Sequence, residues 1–373
     1  MAAKKEETKQ SSDKVMMSAF LNERKDDHFN FLQYRYWKIS TGSLLLDSVV
    51  GPVTPGLHRL FGKESGGKTS ESLEIMRNFL NDVPKSKGVY IGSEGRLAST
   101  LKERTGLKFV TNPEEWDFGT ILVIETNVYE AVADLIQRLV YWQGEEYYGI
   151  IVDSVDGLNL KADLEKGYDD SAKVAGGPVI ASVLMKRIAI PLAKRGHFAI
   201  FISQVRSDIK LDPYTQTVVR QISATGGNAL LHYSNIMLEF QPRFKDDMIM
   251  SKGKEKEPPS LSNPPLGHWA KVIVKKSGTE TQNFHIKYPI KFGIKGGSSI
   301  WVSREIIDSL LQWELIEKSG AWYSFSADLI NDIPELPADK FQGLDSIFEY
   351  VDSNETLRLK LFKYLKDMIQ VKS

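Results

Sequence analysis

The sequence predicts an α/β fold: a mostly parallel central sheet flanked by helices, with a small N-terminal segment before it and a small α+β C-terminal domain after it. Three observations lead there. Between residues 57 and 290, short apolar runs of strand length alternate with amphipathic stretches, and that alternation implies parallel strands covered by helices. A glycine-rich loop of phosphate-binding type follows the first run. Beyond residue 290 the texture changes to apolar positions at helical spacing. The 373 residues suffice for two or three domains of about 100–200 residues each. Composition shifts fall near residues 14, 37 and 290.

Residues 1–14 carry four Lys, two Glu and one Asp with few apolar side chains, and form a solvated arm. Residues 15–37 are more hydrophobic, with Phe20, Phe29, Phe31, Tyr34, Tyr36 and Trp37; they can pack on their own chain or on a neighbour. Buried strands are expected at 57–61, 89–91, 121–124, 149–153 and 198–203. Val128, Ala131, Val132, Leu135, Ile136, Leu139 and Val140 form the apolar stripe of a helix lying on the sheet. Pro191 kinks the helical run 179–194 or ends it early. Residues 236–240, 271–275 and 284–288 extend the sheet through hairpins, and Pro289 closes the last strand. Between them, 251–268 combines three lysines with Pro258, Pro259, Pro264 and Pro265, and reads as a flexible insertion or hairpin tip. Ile306, Leu310, Leu311 and Trp313, then Phe348 and Val351, then Leu357, Leu361, Tyr364, Leu365 and Ile369 supply helices of the C-terminal domain.

Composition excludes several chemistries. With no cysteine there are no disulfides, thiolate metal sites or cysteine nucleophiles. No apolar run approaches the roughly 18 residues of a membrane span, and the polar start lacks a signal peptide's apolar stretch; a cytoplasmic protein with no membrane partner is expected. The 48 basic residues balance 48 acidic ones, so binding to a polyanion must rest on a local cationic surface.

The strongest local signal is Gly62-Lys63-Glu64-Ser65-Gly66-Gly67-Lys68-Thr69, continued by Ser70. Glycines let successive N–H groups turn toward phosphate oxygens, and the following helix adds its positive end. Lys68 then reaches the β/γ-phosphates, and the Thr69 hydroxyl is a ligand for Mg²⁺. Asp153 ends an apolar strand and emerges at the same sheet edge. Glu94 follows strand 89–91 and is the candidate to orient attacking water. Taken alone, an acidic residue after a strand is more often a solvated side chain than a catalyst.

From about Ile39 to the C-terminal helices, the order of blocks resembles the RecA recombinases of bacteria and phages. The residues that carry the resemblance are Ile39-Ser40-Thr41-Gly42-Ser43-Leu44-Leu45-Leu46-Asp47, the phosphate loop, Ser93-Glu94-Gly95 and Ile151-Val152-Asp153-Ser154-Val155. Phe201-Ile202-Ser203-Gln204-Val205-Arg206, Thr225-Gly226-Gly227-Asn228-Ala229-Leu230 and the C-terminal block from Leu315 to Ser324 complete it. The resemblance implies an N-terminal arm and polymerisation segment over 1–38, a RecA-type P-loop ATPase core with DNA-binding loops over 39–290 and a C-terminal α+β domain over 291–373. The protein would form helical filaments on single-stranded DNA, hydrolyse ATP with Mg²⁺ in a DNA-stimulated way, and pair the strand with a homologous duplex in the bacterial cytoplasm, whether host- or phage-encoded.

By the same resemblance Gly62 to Ser70 hold ATP, Thr69 and Asp153 the metal, and Glu94 the hydrolytic water, with Lys68 and Gln204 completing the catalytic set. Gln204 would report the γ-phosphate to the loop that follows it. Lys173, Gly176 and Gly177 in a first loop, and Arg206, Lys210, Arg220, Gly226, Gly227 and Asn228 in a second, would contact DNA. Lys275 or Lys276, or both, would reach the ATP of a neighbouring subunit. The sequence departs from the family pattern at Leu101, where an aromatic ring usually stacks on adenine, and near Pro178, where an arginine is common. Two alternatives stay open: a hexameric helicase of the same core fold, which the C-terminal block disfavours, and a non-hydrolysing ATP-dependent DNA coat.

Overall fold

The computed structural model describes residues 12–95, 97–165, 176–204, 227–251, 257–279, 281–293 and 298–372. Among the described residues ten strands build the main sheet: β1 (Gly56–Gly62), β2 (Ser86–Gly92), β3 (Lys108–Val110), β4 (Thr120–Glu125), β5 (Tyr147–Asp153), β6 (Phe198–Gln204), β7 (Ile236–Phe240), β8 (Met248–Ile249), β9 (Gly267–Lys276) and β10 (Phe284–Lys291). Their spatial order is β10-β9-β7-β1-β6-β5-β2-β4-β3, with β8 paired to β9. The strands from β7 across to β3 are mutually parallel, and β9 and β10 are added antiparallel.

Helices cover both faces. Ahead of the sheet come α1 (Ser12–Glu23) and α2 (Leu44–Val50); α3 (Lys68–Asp82) and α4 (Ser99–Thr105) follow, then α5 (Tyr129–Tyr141), α6 (Lys161–Leu164), α7 (Gly176–Lys194) and α8 (Gly227–Tyr233). One apolar cluster joins α3 to Leu60, Ile200 and Leu238; a second joins α5 and α7 to Val89, Ile150 and Phe201 on the opposite face. Strands buried on both faces are nearly continuous apolar runs, which is why β5 and β6 stand out in the sequence. Phe79 and Phe198 are fully buried with ring centroids 4.8 Å apart, edge to face, an arrangement contributing about 1 kcal/mol beyond area burial.

The C-terminal part contains α9 (Val302–Gln312), β11 (Ile316–Ser319), β12 (Trp322–Phe325), α10 (Ala327–Asp332), β13 (Phe341–Gln342), α11 (Leu344–Ser353) and α12 (Glu355–Lys372), with an antiparallel sheet β11-β12-β13. It has its own apolar cluster, to which Leu44 of α2 also belongs. Glu305 of α9 fastens it to the core. This buried carboxylate accepts from the Ser43 hydroxyl and from the N–H groups of Leu44 at 3.0 Å and Leu45 at 3.2 Å.

Two sequence expectations need adjustment. Pro191 does not end α7, which continues to Lys194. The proline leaves the Arg187 carbonyl without its helical donor, and the Tyr141 hydroxyl supplies one at 3.0 Å. Likewise β10 runs through Pro289 to Lys291. Here the Pro289 carbonyl accepts from Trp301 N–H and Lys291 N–H donates to Ser299, so these positions face away from β9 and the missing N–H removes no rung. The segment 251–268 fits its reading as a hairpin tip: β8 pairs antiparallel with β9, Ile249 opposite Gly267, and only the last two residues of the segment, Gly267 and His268, belong to β9. Residues 15–37 begin as a helix, α1, whose Val15, Met16, Met17 and Phe20 are exposed.

Candidate functional site

Strand register assembles one edge. Gly62 pairs with Gln204 and with Phe240, and Gly92 pairs with Asp153, so these strands finish together at the carboxyl side of the sheet, where open α/β sheets bind ligands. Gly62 has φ +139°, and a Cβ there would lie 2.0 Å from the Phe240 carbonyl oxygen. Gly67 caps α3 with φ +110°. Only glycine serves at both positions. Because α3 starts at Lys68, its unpaired N–H groups and positive end face the loop.

Lys68 is buried and its ammonium donates to the carbonyls of Gly62 at 3.0 Å and Lys63 at 2.6 Å. Burial lowers its pKa, opposed by the carboxylates of Asp153, Asp156, Glu64 and Glu94. Asp153 Oδ2 accepts from Thr69 Oγ1 at 2.7 Å and from Tyr90 Oη at 2.8 Å. Burial raises the Asp153 pKa against these two hydrogen bonds and Lys68, and Glu94 adds to the rise. Burial, then the Asp153 charge, drive the Tyr90 hydroxyl far above its ordinary range, so it stays a donor.

Glu94 Oε1 accepts from Ser154 Oγ at 2.6 Å and, at the long limit of 3.5 Å, from Gln204 Nε2. Ser93 locks the ends of β2 and β5 together: its hydroxyl donates to the Ser154 carbonyl at 2.6 Å and accepts from Ser154 N–H at 3.0 Å. Lys68, Thr69, Glu94, Asp153 and Gln204 thus line one cavity of about 240 Å³, together with Glu64, Ser65 and Leu101. Ser70, in the first turn of α3, accepts from Arg104 Nη2 at 2.8 Å.

The residues fit a magnesium-bound nucleotide. Among the described residues no group of three or more His, Cys, Asp or Glu side chains is arranged to hold a metal ion. Magnesium bound beside a triphosphate needs only one or two protein oxygens, and Thr69 with Asp153 offers a hydroxyl and a carboxylate in contact.

The other candidates fall elsewhere. Gly176 and Gly177 open α7 instead of lying in a loop, and Gly227 and Asn228 open α8. Lys173, Arg206, Lys210, Arg220 and Gly226 lie outside the described residues. Lys275 pairs with Glu239 at 3.0 Å and Lys276 donates to the His232 carbonyl at 3.2 Å; neither lines the cavity holding Lys68. Sequence reasoning missed Tyr90, Arg104 and Asp156. Tyr90 carried a usable signal, because a tyrosine inside a fully buried strand needs a partner for its hydroxyl.

Comparison with known proteins shows the family. A family model described as the RecA N-terminal domain matches residues 32–256. The chain is 25% identical over 339 residues to Protein RecA of Rippkaea orientalis, covering 90% of this chain and 84% of that one. It is 27% identical over 351 residues to Protein RecA of Bordetella avium, covering 91% and 84%, and 27% identical over 345 residues to that of Mycoplasma mycoides, covering 89% and 84%. The fold is a RecA-type α/β core carrying a small antiparallel C-terminal sheet. With the family model spanning more than half of its length, the chain belongs to the RecA family.

Proposed function

We propose that this protein is a DNA-dependent ATPase that assembles as helical filaments on single-stranded DNA and drives homologous pairing and strand exchange with double-stranded DNA. The observation that carries the reading is the convergence of Lys68, Thr69, Asp153, Glu94 and Gln204 on one cavity at the carboxyl edge of the sheet. In this reading residues 62–70 cradle the phosphates of ATP, and Thr69 and Asp153 hold the magnesium ion. That ion would neutralise charge on the β- and γ-phosphates. Lys68 leaves its own loop carbonyls for phosphate oxygens, gaining charge-assisted bonds. Glu94, held by Ser154, orients the attacking water.

Gln204 is the sensor. Its amide reaches Glu94 only weakly, at 3.5 Å, so a better acceptor draws it away, and the change passes to the residues that follow it in sequence. Arg206, Lys210, Arg220, Gly226, Gly227 and Asn228, with Lys173, Gly176 and Gly177, are the proposed DNA contacts, made through phosphate pairing and close backbone approach. Lys275 and Lys276 would act on a neighbour's nucleotide, making hydrolysis depend on assembly. Residues 1–38 serve polymerisation, 39–290 form the ATPase core and 291–373 the C-terminal domain.

Phosphate release, measured with and without single-stranded DNA across a salt titration, tests this. Turnover should be low alone, rise with DNA and fall back as salt displaces the strand. Turnover indifferent to DNA at low salt would overturn the reading, and closed rings instead of extended filaments under the electron microscope would replace it with a helicase.

A further inference from the structure

The end of β6 is held in an unusual way. Pairing of β5 with β6 stops at Val152 opposite Phe201, whereas β1 stays paired with β6 as far as Gly62 opposite Gln204. Residues 202–204 therefore have a partner strand on one side only. On the other side the chain turns after Asp153 into the short helical turn Val155–Gly157, which carries Asp156 to the end of β6. Asp156 Oδ2 accepts the Gln204 main-chain N–H at 2.6 Å. A carboxylate thus stands where the next rung of the ladder would be, and a charge-assisted bond is stronger than the neutral rung it replaces.

Beneath it lies a buried cation. Strand alternation puts Leu57, Arg59 and Phe61 on one face, opposite Ala199, Phe201 and Ser203. Apart from Arg59 and Ser203 these are apolar, and Arg59 is only 3% exposed. Its guanidinium donates to Ser203 Oγ through Nε at 3.3 Å and Nη2 at 3.2 Å, and lies 5.2 Å from the Phe61 ring centre. A charge in such a place is costly unless another offsets it; the Asp156 carboxylate, on the Gln204 N–H next to Ser203, acts on it. Among the described residues the remaining Asp156 oxygen, Oδ1, is buried without a hydrogen-bond partner, and the main-chain N–H of Gln204 orients this carboxylate.

We propose that Asp156, balanced by Arg59, is a positioning residue that pins the main chain of Gln204, so that nucleotide is sensed by a side chain pivoting on a fixed base. The inference rests on the reading of Gln204 as the sensor. Arg59 holds Ser203 by its side chain while Asp156 holds Gln204 by its backbone, and together they fix two successive residues at the point where the strand ends. Without them a change at the Gln204 amide is absorbed by slack in the strand end before it reaches the DNA-facing residues.

The full-length chain is compared with Asp156→Ala, Asp156→Asn and the double variant Arg59→Met/Asp156→Ala. Four quantities are read: the unfolding midpoint, affinity for a non-hydrolysable ATP analogue with magnesium, stimulation of phosphate release by single-stranded DNA, and hydrogen exchange at the Gln204 amide. Asp156→Ala should lower the midpoint and the double variant should recover it, because Asp156→Ala removes a carboxylate that offsets the buried Arg59 charge and the double variant removes that charge as well. DNA stimulation should stay about tenfold or more below wild type in both, with analogue affinity within about threefold. Asp156→Asn keeps an acceptor for the Gln204 N–H and should keep most of the stimulation. Recovery of stimulation together with the midpoint in the double variant would reduce the pair to a structural role and overturn the proposal. If the double variant does not fold, equal Gln204 exchange in wild type and Asp156→Ala overturns it instead. Wild-type protein showing no DNA stimulation would count against the ATPase reading, while the exchange measurement would still decide whether Asp156 anchors Gln204.

Discussion

The two ends of the same parallel strands are built on opposite principles. At the amino end Phe198, Phe79 and Trp37 interlock, with Trp37 5.2 Å from Phe79 and 5.8 Å from Phe198. Two buried imidazoles sit at the same end, His58 beside Phe198 and His197 beside Tyr148, each using one nitrogen: His58 Nε2 with the Thr54 carbonyl at 2.9 Å, His197 Nδ1 with Tyr148 N–H at 3.0 Å. Burial drives their pKa values down to about 4 and about 3, so both are neutral. At the carboxyl end Lys68, Asp153, Asp156 and Glu94 crowd together beside a cavity of about 240 Å³. Burial of a polar group alone does not distinguish the ends. What does is that one end is filled with rings, while the other retains opposed charges next to open space.

Four substitutions sharpen this contrast. Lys68→Ala should cut DNA-stimulated phosphate release about a thousandfold and leave the unfolding midpoint little changed; comparable turnover would mean the loop does not hold the reacting phosphates. Phe198→Ala should do the reverse, costing about 3–5 kcal/mol in urea unfolding while the folded fraction keeps its turnover. Glu94→Gln should slow phosphate release about a hundredfold with triphosphate affinity retained. A parallel loss of affinity would instead make Glu94 a binding residue.

The smallest effect is a slope. His197 takes its proton near 6.5 when unfolded but only near 3 when folded, so its contribution is complete above about pH 6.5 and is lost as pH falls. Between pH 6.5 and 4.5, wild type should lose up to about 1.4 kcal/mol per pH unit more than His197→Gln. Urea unfolding at three pH values measures this, and parallel curves for the two proteins would show that His197 is not a buried neutral imidazole.

Legibility in the sequence follows the same division. The cradle was readable because Gly62 and Gly67 occupy backbone conformations that other residues avoid, and β5 and β6 because burial on both faces leaves nearly unbroken apolar runs. Long-range compensation was not readable. Pro191 is accommodated by the hydroxyl of Tyr141 on another helix, and Glu305 looks like any surface glutamate until α9 brings it to the start of α2. The helix α4 spans only seven residues, with Leu101 as its contact to the core, too short for periodicity to register. Asp156 and Arg59 are separated by almost a hundred positions, and only the register of β1, β5 and β6 brings them to one strand end.

The central claim is that a triphosphate in the cradle formed by residues 62–70 changes the protein's grip on a nucleic-acid strand through Gln204. The most direct measurement is the affinity of the full chain for single-stranded DNA at one salt concentration, taken without nucleotide, with ADP and magnesium, and with a non-hydrolysable ATP analogue and magnesium. The account predicts binding at least about tenfold tighter in the last condition, and loss of that difference in Gln204→Ala. Equal affinity in all three conditions would contradict it.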